Sequence, residues 1–184
     1  MSFQEIEYAV TDRVATITLN RPEKLNALTK LMEEELFEAM TRANNDSEVR
    51  VIILTGAGKG FCSGADISLL QSITSEDFQN TPPETIFQKY VPNREVGDHQ
   101  KDFQRCWSYF PSIEKPIIAA INGPAVGLGF ILTLFCDIRF SAENARFSTA
   151  FSKRGLIAEH GISWILPRLA GISNALDLLF SARM

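Results

Sequence analysis

Val49-Arg50-Val51-Ile52-Ile53-Leu54 runs straight into Thr55-Gly56-Ala57-Gly58-Lys59-Gly60-Phe61-Cys62-Ser63-Gly64-Ala65-Asp66-Ile67, and the junction of the two decides the fold. The first six residues are nearly all apolar and β-branched, the pattern of a strand covered on both faces. The continuation predicts a flexible turn that delivers Gly64-Ala65-Asp66 to the start of a short helix. Unpaired N–H groups at a helix start point outward and carry the positive end of the helix dipole. Two phosphate-binding readings fail on spacing. A P-loop needs Gly-Lys-Ser/Thr, and Lys59 is followed by Gly60. A dinucleotide fingerprint needs Gly-x-Gly-x-x-Gly, yet its last position falls on Phe61 counted from Gly56 and on Ser63 counted from Gly58. Nor is Ser63 the nucleophile of a Gly-x-Ser-x-Gly elbow, because Phe61 stands where a glycine is required.

Upstream, residues 6 to 20 read as two short strands, with Val14, Thr16 and Thr18 alternating against Ala15, Ile17 and Leu19 and a turn at Thr11-Asp12-Arg13. Leu28, Met32, Leu36, Ala39, Met40 and Ala43 then recur at helical spacing, Glu33, Glu34 and Glu38 fall among the solvent-facing positions, and Thr29 is placed to cap the helix. Strand, helix, strand in that order predicts a right-handed crossover in an α/β domain. Downstream, Ile117 to Ile121 is a second buried strand, and Ile138-Arg139-Phe140-Ser141-Ala142 a third. A second loop, Asn122-Gly123-Pro124-Ala125-Val126-Gly127-Leu128-Gly129, follows the Ile117 strand and leads into another helix. Two helix starts, each offering an amide, are what an oxyanion hole requires. Taken by spacing alone, both loops read equally well as ordinary strand-to-helix turns. From about residue 72 to 112 prolines and polar residues predict a mobile loop, then one helix from Gln100 to Phe110. Asn174 to Phe180 is helical in pattern, with no glycine or polar tail after it before Met184.

The bulk numbers narrow the function classes. At 184 residues the chain fits one domain, and 45% hydrophobic with 22% charged residues is a globular balance. A formal charge of −4 offers no basic face for nucleic acid. The longest apolar run, Phe130 to Cys136, is too short to span a bilayer. The first five residues lack the features of a signal peptide. Cys62, Cys106 and Cys136 form no paired framework, which predicts a reducing, cytoplasmic setting. His99 and His160 are far apart and form no Cys/His cluster, so no metal site is expected.

Four ordered blocks carry a family likeness. Asn20-Arg21-Pro22-Glu23-Lys24-Leu25-Asn26-Ala27-Leu28, Gly60 to Ile67, Lys115 to Gly123, and Cys136-Asp137-Ile138-Arg139 with Ala145-Arg146-Phe147 resemble the signature segments of the enoyl-CoA hydratase/isomerase (crotonase) family, across nearly the whole chain. The resemblance implies a crotonase spiral of β-β-α units, with residues 1–184 as the core domain. It implies assembly as a homotrimer or hexamer, and an acyl-CoA thioester as substrate, with no cofactor beyond that coenzyme A. Family members add a carboxy-terminal helical region absent from these residues, which implies a chain stopping short of it. The family polarises the thioester carbonyl with two backbone amides, which map here to Ala65 and Leu128. The coenzyme would lie near Lys24, Leu25, Ala65, Asp66 and Ile67, with Ala27, Gly127, Leu128 and Phe151 as further substrate-binding positions.

The choice of reaction turns on carboxylates. In family hydratases a water sits between two glutamates, one acting as base and the other as acid. The matching positions here are Ile131 and Phe151, which move no proton. Gly155-Leu156-Ile157-Ala158-Glu159-His160-Gly161 instead resembles the segment in which enoyl-CoA isomerases carry a single catalytic acid. Glu159 is therefore the expected proton shuttle, in a pocket expected from Phe147, Phe151, Ile131 and Leu128; the plainer alternative is a helix-start carboxylate paired with the dipole. His160 is expected to be structural or to tune Glu159, Asp66 to cap its helix or orient the loop, Asp137 to sit in a structural turn, and Trp107, Tyr109 and Phe110 to pack in the core, with a path for the acyl chain along them as the alternative. A hydratase that uses Glu159 alone, a non-catalytic acyl-CoA-binding relative and other enolate chemistry stand as alternatives.

Overall fold

The computed structural model describes residues 3–68 and 107–184. Strands β1 (Ile6–Thr11) and β2 (Val14–Leu19) form an antiparallel hairpin. Asp12 and Arg13 both adopt positive φ, the geometry of a two-residue hairpin turn whose twist matches the strands. After a 3-10 turn at Pro22–Lys24, helix α1 spans Lys30–Asn45. Thr29 caps it, its hydroxyl oxygen accepting the Met32 N–H at 3.0 Å, as the sequence predicts. Met32, Leu36, Ala39, Met40 and Ala43 are buried, while Glu34 and Glu38 face solvent.

Strands β3 (Val51–Gly56), β4 (Ile117–Ile121) and β6 (Ile138–Ser141) complete a five-stranded sheet in the order β1-β2-β3-β4-β6, parallel from β2 onward. Parallel neighbours need crossovers, and α1 supplies the one from β2 to β3. Two short strands, β5 (Ala125–Val126) and β7 (Phe147–Ser148), pair in a second, parallel sheet. Helix α2 (Leu128–Phe135) follows β5, α3 (Ile162–Ala170) follows β7, and α4 (Ile172–Ser181) ends the described chain. The order β-β-α thus occurs as β1-β2-α1, β4-β5-α2 and β6-β7-α3, which is the expected repeat.

Most of the expected helix at Gln100 to Phe110, and the expected loop before it, lie outside the described residues. The described end of that segment is a turn at residues 107–109, then a 3-10 turn at Phe110–Ser112. Trp107, Tyr109 and Phe110 are core residues, and Tyr109 packs edge-on against Phe37 at 5.0 Å between ring centroids. Asp137 is structural, its carboxylate accepting the Ile117 N–H at 2.7 Å and so fixing where β4 begins. No helix among the described residues is long and apolar enough to cross a membrane.

Candidate active site

Two glycine loops meet edge to edge. Cys62 donates its N–H to the Pro124 carbonyl, and Val126 donates back to the Cys62 carbonyl at 2.9 Å, so residue 62 lies beside β5 as a further short rung. Contact is very close at Gly129, in the first turn of α2. A Cβ there would lie 2.1 Å from the Cys62 carbonyl oxygen, so no larger residue fits without moving one loop off the other.

Leu28 orients Ala65. Its N–H donates to the Gly64 carbonyl (2.8 Å), and its carbonyl accepts the Asp66 N–H (2.9 Å). Those two bonds form a parallel bridge centred on Leu28 and Ala65, and a residue bridged in this way turns its own N–H to the other side. Gly64, at φ +104°, abuts the second loop: a Cβ there would stand 3.0 Å from the Val126 carbonyl oxygen and 3.8 Å from the Leu128 nitrogen. Leu128 is the first residue of α2, whose amide has no intrahelical acceptor. Among the described residues, neither the Ala65 nor the Leu128 amide donates a hydrogen bond. Both border the seam between the loops.

The asparagines of the two motifs hold the first loop in shape, a role the sequence reading did not assign. Asn26 is fully buried at positive φ; its amide donates to the carbonyls of Ala57, Gly60 and Phe61 and its side-chain oxygen accepts the Arg21 N–H. Asn122 donates to the carbonyls of Gly58 and Gly60. A side chain bonding a loop's carbonyls signals itself in sequence only as an asparagine near glycines, which is too common a pattern to single out.

The other expected substrate-binding residues gather along the same loop. Ser63 donates its N–H to Leu25 and its hydroxyl to the Lys24 carbonyl. Lys24, Leu25 and Ile67 are exposed, and Ala27 is buried. Asp66 does cap the helical turn beginning at Ile67: one carboxylate oxygen accepts both the N–H and the hydroxyl of Ser68, and the other accepts Arg21 Nη1 at 3.0 Å. The bonds from Ser68 and then Arg21 hold this carboxyl down at about 2. Gly127 caps α2 and donates its N–H to the Ser148 carbonyl.

Ile131 and Phe151, the two hydratase positions, are 0% and 6% exposed. Phe147 stacks at a tilt on Phe130, 5.6 Å between centroids. Glu159 is more open than a pocket walled by these residues would make it, its side chain being 37% exposed. Partial burial still raises its pKa above the ordinary carboxylate value. His160 Nε2 stands 3.6 Å from the Glu159 carboxylate, too long for a hydrogen bond. Gly161, two residues on, is set against the ring of Phe135, since a Cβ there would lie 3.2 Å from its edge. The Glu159 segment therefore packs on the same α2 that begins at Leu128.

Comparison with known proteins shows the family of the chain. A family model described as enoyl-CoA hydratase/isomerase matches residues 10–184. The chain is 37% identical over 166 residues to 1,2-epoxyphenylacetyl-CoA isomerase of Escherichia coli K12, covering 90% of this chain and 58% of that protein. It is 34% identical over 182 residues to a "Probable enoyl-CoA hydratase" of Rhodobacter capsulatus, covering 99% of this chain and 63% of the relative. The crystal structure of an enoyl-CoA hydratase from Mycobacterium marinum superposes with a TM-score of 0.70 at 40% identity, covering 97% of this chain and 71% of that one. The chain thus spans about three fifths of the length of these two curated relatives.

Proposed function

The chain belongs to the enoyl-CoA hydratase/isomerase family, and from that premise we propose that it shifts the double bond of a 3-enoyl-CoA thioester to the 2-enoyl position. The observation that carries this choice is the pair of buried apolar residues, Ile131 and Phe151, where a hydratase of the two-glutamate kind needs carboxylates. Among the described residues, Glu159 is the carboxylate in the segment where family isomerases carry their acid. A 1,3-proton shift needs only one, because the same group takes the proton and returns it.

In this mechanism coenzyme A lies along Lys24, Leu25, Ala27, Asp66 and Ile67, and the thioester carbonyl accepts hydrogen bonds from the Ala65 and Leu128 amides. The acyl group passes Gly127 and Phe151. Glu159 removes the C2 proton, which the carbonyl makes acidic. The dienolate oxygen carries the developing charge between the two amides, and Glu159 as a neutral acid delivers its proton to C4. A pKa raised by partial burial suits a group that must both accept and release a proton. The isomerase name of one relative supports the reading, and the hydratase names of others keep hydration as the rival. Assembly as a homotrimer or hexamer follows from the resemblance, and sedimentation equilibrium at three or six protomer masses tests it.

The reaction is tested by offering the purified protein 2-enoyl-CoA and 3-enoyl-CoA and following the conjugated-thioester absorbance. Isomerisation makes that band grow from the 3-enoyl ester. If water adds to the 2-enoyl ester and the 3-enoyl ester is untouched, hydration is the activity. Glu159→Gln should lower kcat roughly 10²–10⁴-fold, the range for a positioned acid–base group, with KM nearly unchanged. An acyl-CoA-binding relative without catalysis would show no turnover for this substitution to remove.

A further inference from the structure

Arg21 belongs to none of the roles above, yet its guanidinium touches both sides of the bridge that aims Ala65. Nη1 donates to the Ala27 carbonyl at 2.6 Å and to the Asp66 carboxylate at 3.0 Å. Ala27 precedes Leu28, and Asp66 follows Ala65, so one charged nitrogen ties together the residues flanking the bridged pair. Nε faces the Glu5 carboxylate at 3.2 Å. Glu5 is itself held: its other oxygen accepts the Thr29 hydroxyl, and its N–H, with that of Gln4, donates to the buried Glu35 carboxylate of α1. The chain of contacts runs from the core helix through Glu35, Glu5 and Arg21 to Asp66. Arg21 and Asp66 side chains are each 17% exposed, so water screens this pair little.

A parallel bridge of a single residue pair has two hydrogen bonds to hold it and can twist about them. A charged donor straddling it resists that twist, and the quantity the twist would change is the direction of the Ala65 N–H. We infer that Arg21 is a positioning residue for the oxyanion site, fixing the Ala65 amide toward the thioester oxygen through Asp66 and Ala27. The inference rests on the reading of Ala65 as a donor to that oxygen.

The test is the carbonyl stretch of a bound thioester that does not react, butyryl-CoA labelled with 13C at the carbonyl, read by isotope-edited infrared difference. The parent protein should lower the stretch relative to free butyryl-CoA. Arg21→Met should return most of that lowering and reduce kcat by about tenfold to a hundredfold, the scale on which a small misplacement of a catalytic group acts. Its Kd for butyryl-CoA should stay within about threefold, because the bulk of binding lies along other residues. Arg21→Lys should recover part of both losses, and Asp66→Asn should return part of the lowering of the stretch, the Kd criterion being read on the Arg21 variants alone because Asp66 lies along the proposed coenzyme path. Asp66→Asn keeps the backbone bridge and an acceptor for Ser68, so it decides the matter if Arg21→Met does not fold. A lowered stretch in the parent that both variants leave unchanged overturns the role of Arg21, and so does a parallel loss of Kd and kcat in the Arg21 variants. A parent complex with the frequency of free thioester overturns the oxyanion reading and this inference together. Full activity in Glu159→Gln overturns the proton-shuttle assignment alone, and the stretch in the Arg21 variants still decides this one.

Discussion

Glu159 and Asp66 are carboxylates pushed in opposite directions, and each direction has a consequence for stability. Burial raises the Glu159 pKa, so the folded chain holds that proton more tightly than the unfolded chain. The stabilisation is present below the ordinary carboxylate value of about 4.3 and is lost as pH rises through the raised folded value. At neutral pH the ionised group opposes folding. Glu159→Gln should therefore raise the midpoint of urea unfolding at pH 7, and the gain should vanish near pH 3.5; a stability loss at pH 7 would count against a desolvated carboxylate. In catalysis the same shift predicts an acid limb of kcat/KM that turns above pH 4.3, a limb Glu159→Gln removes. Asp66 behaves the other way. Bonds from Ser68 and Arg21 hold its pKa at about 2, so its contribution is present above the unfolded value and is lost as pH falls from about 4 through 2. Asp66→Asn should cost about 1–2 kcal/mol at pH 7, and parent and variant should converge in acid.

At the scale of elements, the site depends on how α2 starts against the first glycine loop. Gly129→Ala puts a methyl carbon 2.1 Å from the Cys62 carbonyl oxygen and 2.7 Å from the Cys62 Cβ, both immobile partners. We expect a loss of about 1–3 kcal/mol from overpacking, with kcat falling further than stability accounts for because the Leu128 amide moves with the helix start. A variant with parent kcat and parent urea midpoint would show that the loops separate freely. The elements themselves were largely legible in sequence. β1, β2 and α1 are long enough for periodicity to show, and Thr29 stands where a cap belongs. The unbroken apolar runs of β3 and β4 leave little alternative. β5 is two residues long, too short for any period, and came to light only through its pairing with β7. Buried Glu35 was not legible either: its helical phase places it beside Leu36 on the core side, and what satisfies it are the N–H groups of Gln4 and Glu5, some thirty residues away. The two glycine loops were legible as strand-to-helix turns, while the choice of Ala65 and Leu128 within them came from the family resemblance. Asn26 and Asn122 hold the first loop, and Arg21 ties to Asp66, through contacts thirty or more residues apart, and no local pattern carries those.

Across the whole molecule, two cysteines report whether loop and core open together. Cys62 lies in the glycine loop and Cys136 at the end of α2, and both are buried in one continuous apolar cluster. Burial pushes the Cys62 thiol up to about 12 and raises Cys136 as well, so neither offers a thiolate while the fold is closed. Iodoacetamide should label them only through opening, at rates that follow the free energy of that opening. If the loop is part of the cooperative fold, Cys62 and Cys136 should be alkylated at similar rates in water and rise together with urea, as peptide mapping by mass spectrometry would measure. If Cys62 runs well ahead at low urea, the loop opens on its own. That result would bear directly on catalysis, because a preorganised pair of amides works by requiring no reorganisation when charge develops. A loop that opened independently would have to be closed by the substrate, and butyryl-CoA would then slow the labelling of Cys62 without slowing that of Cys136. Equal rates that the thioester slows equally are the outcome expected of a site built into the core.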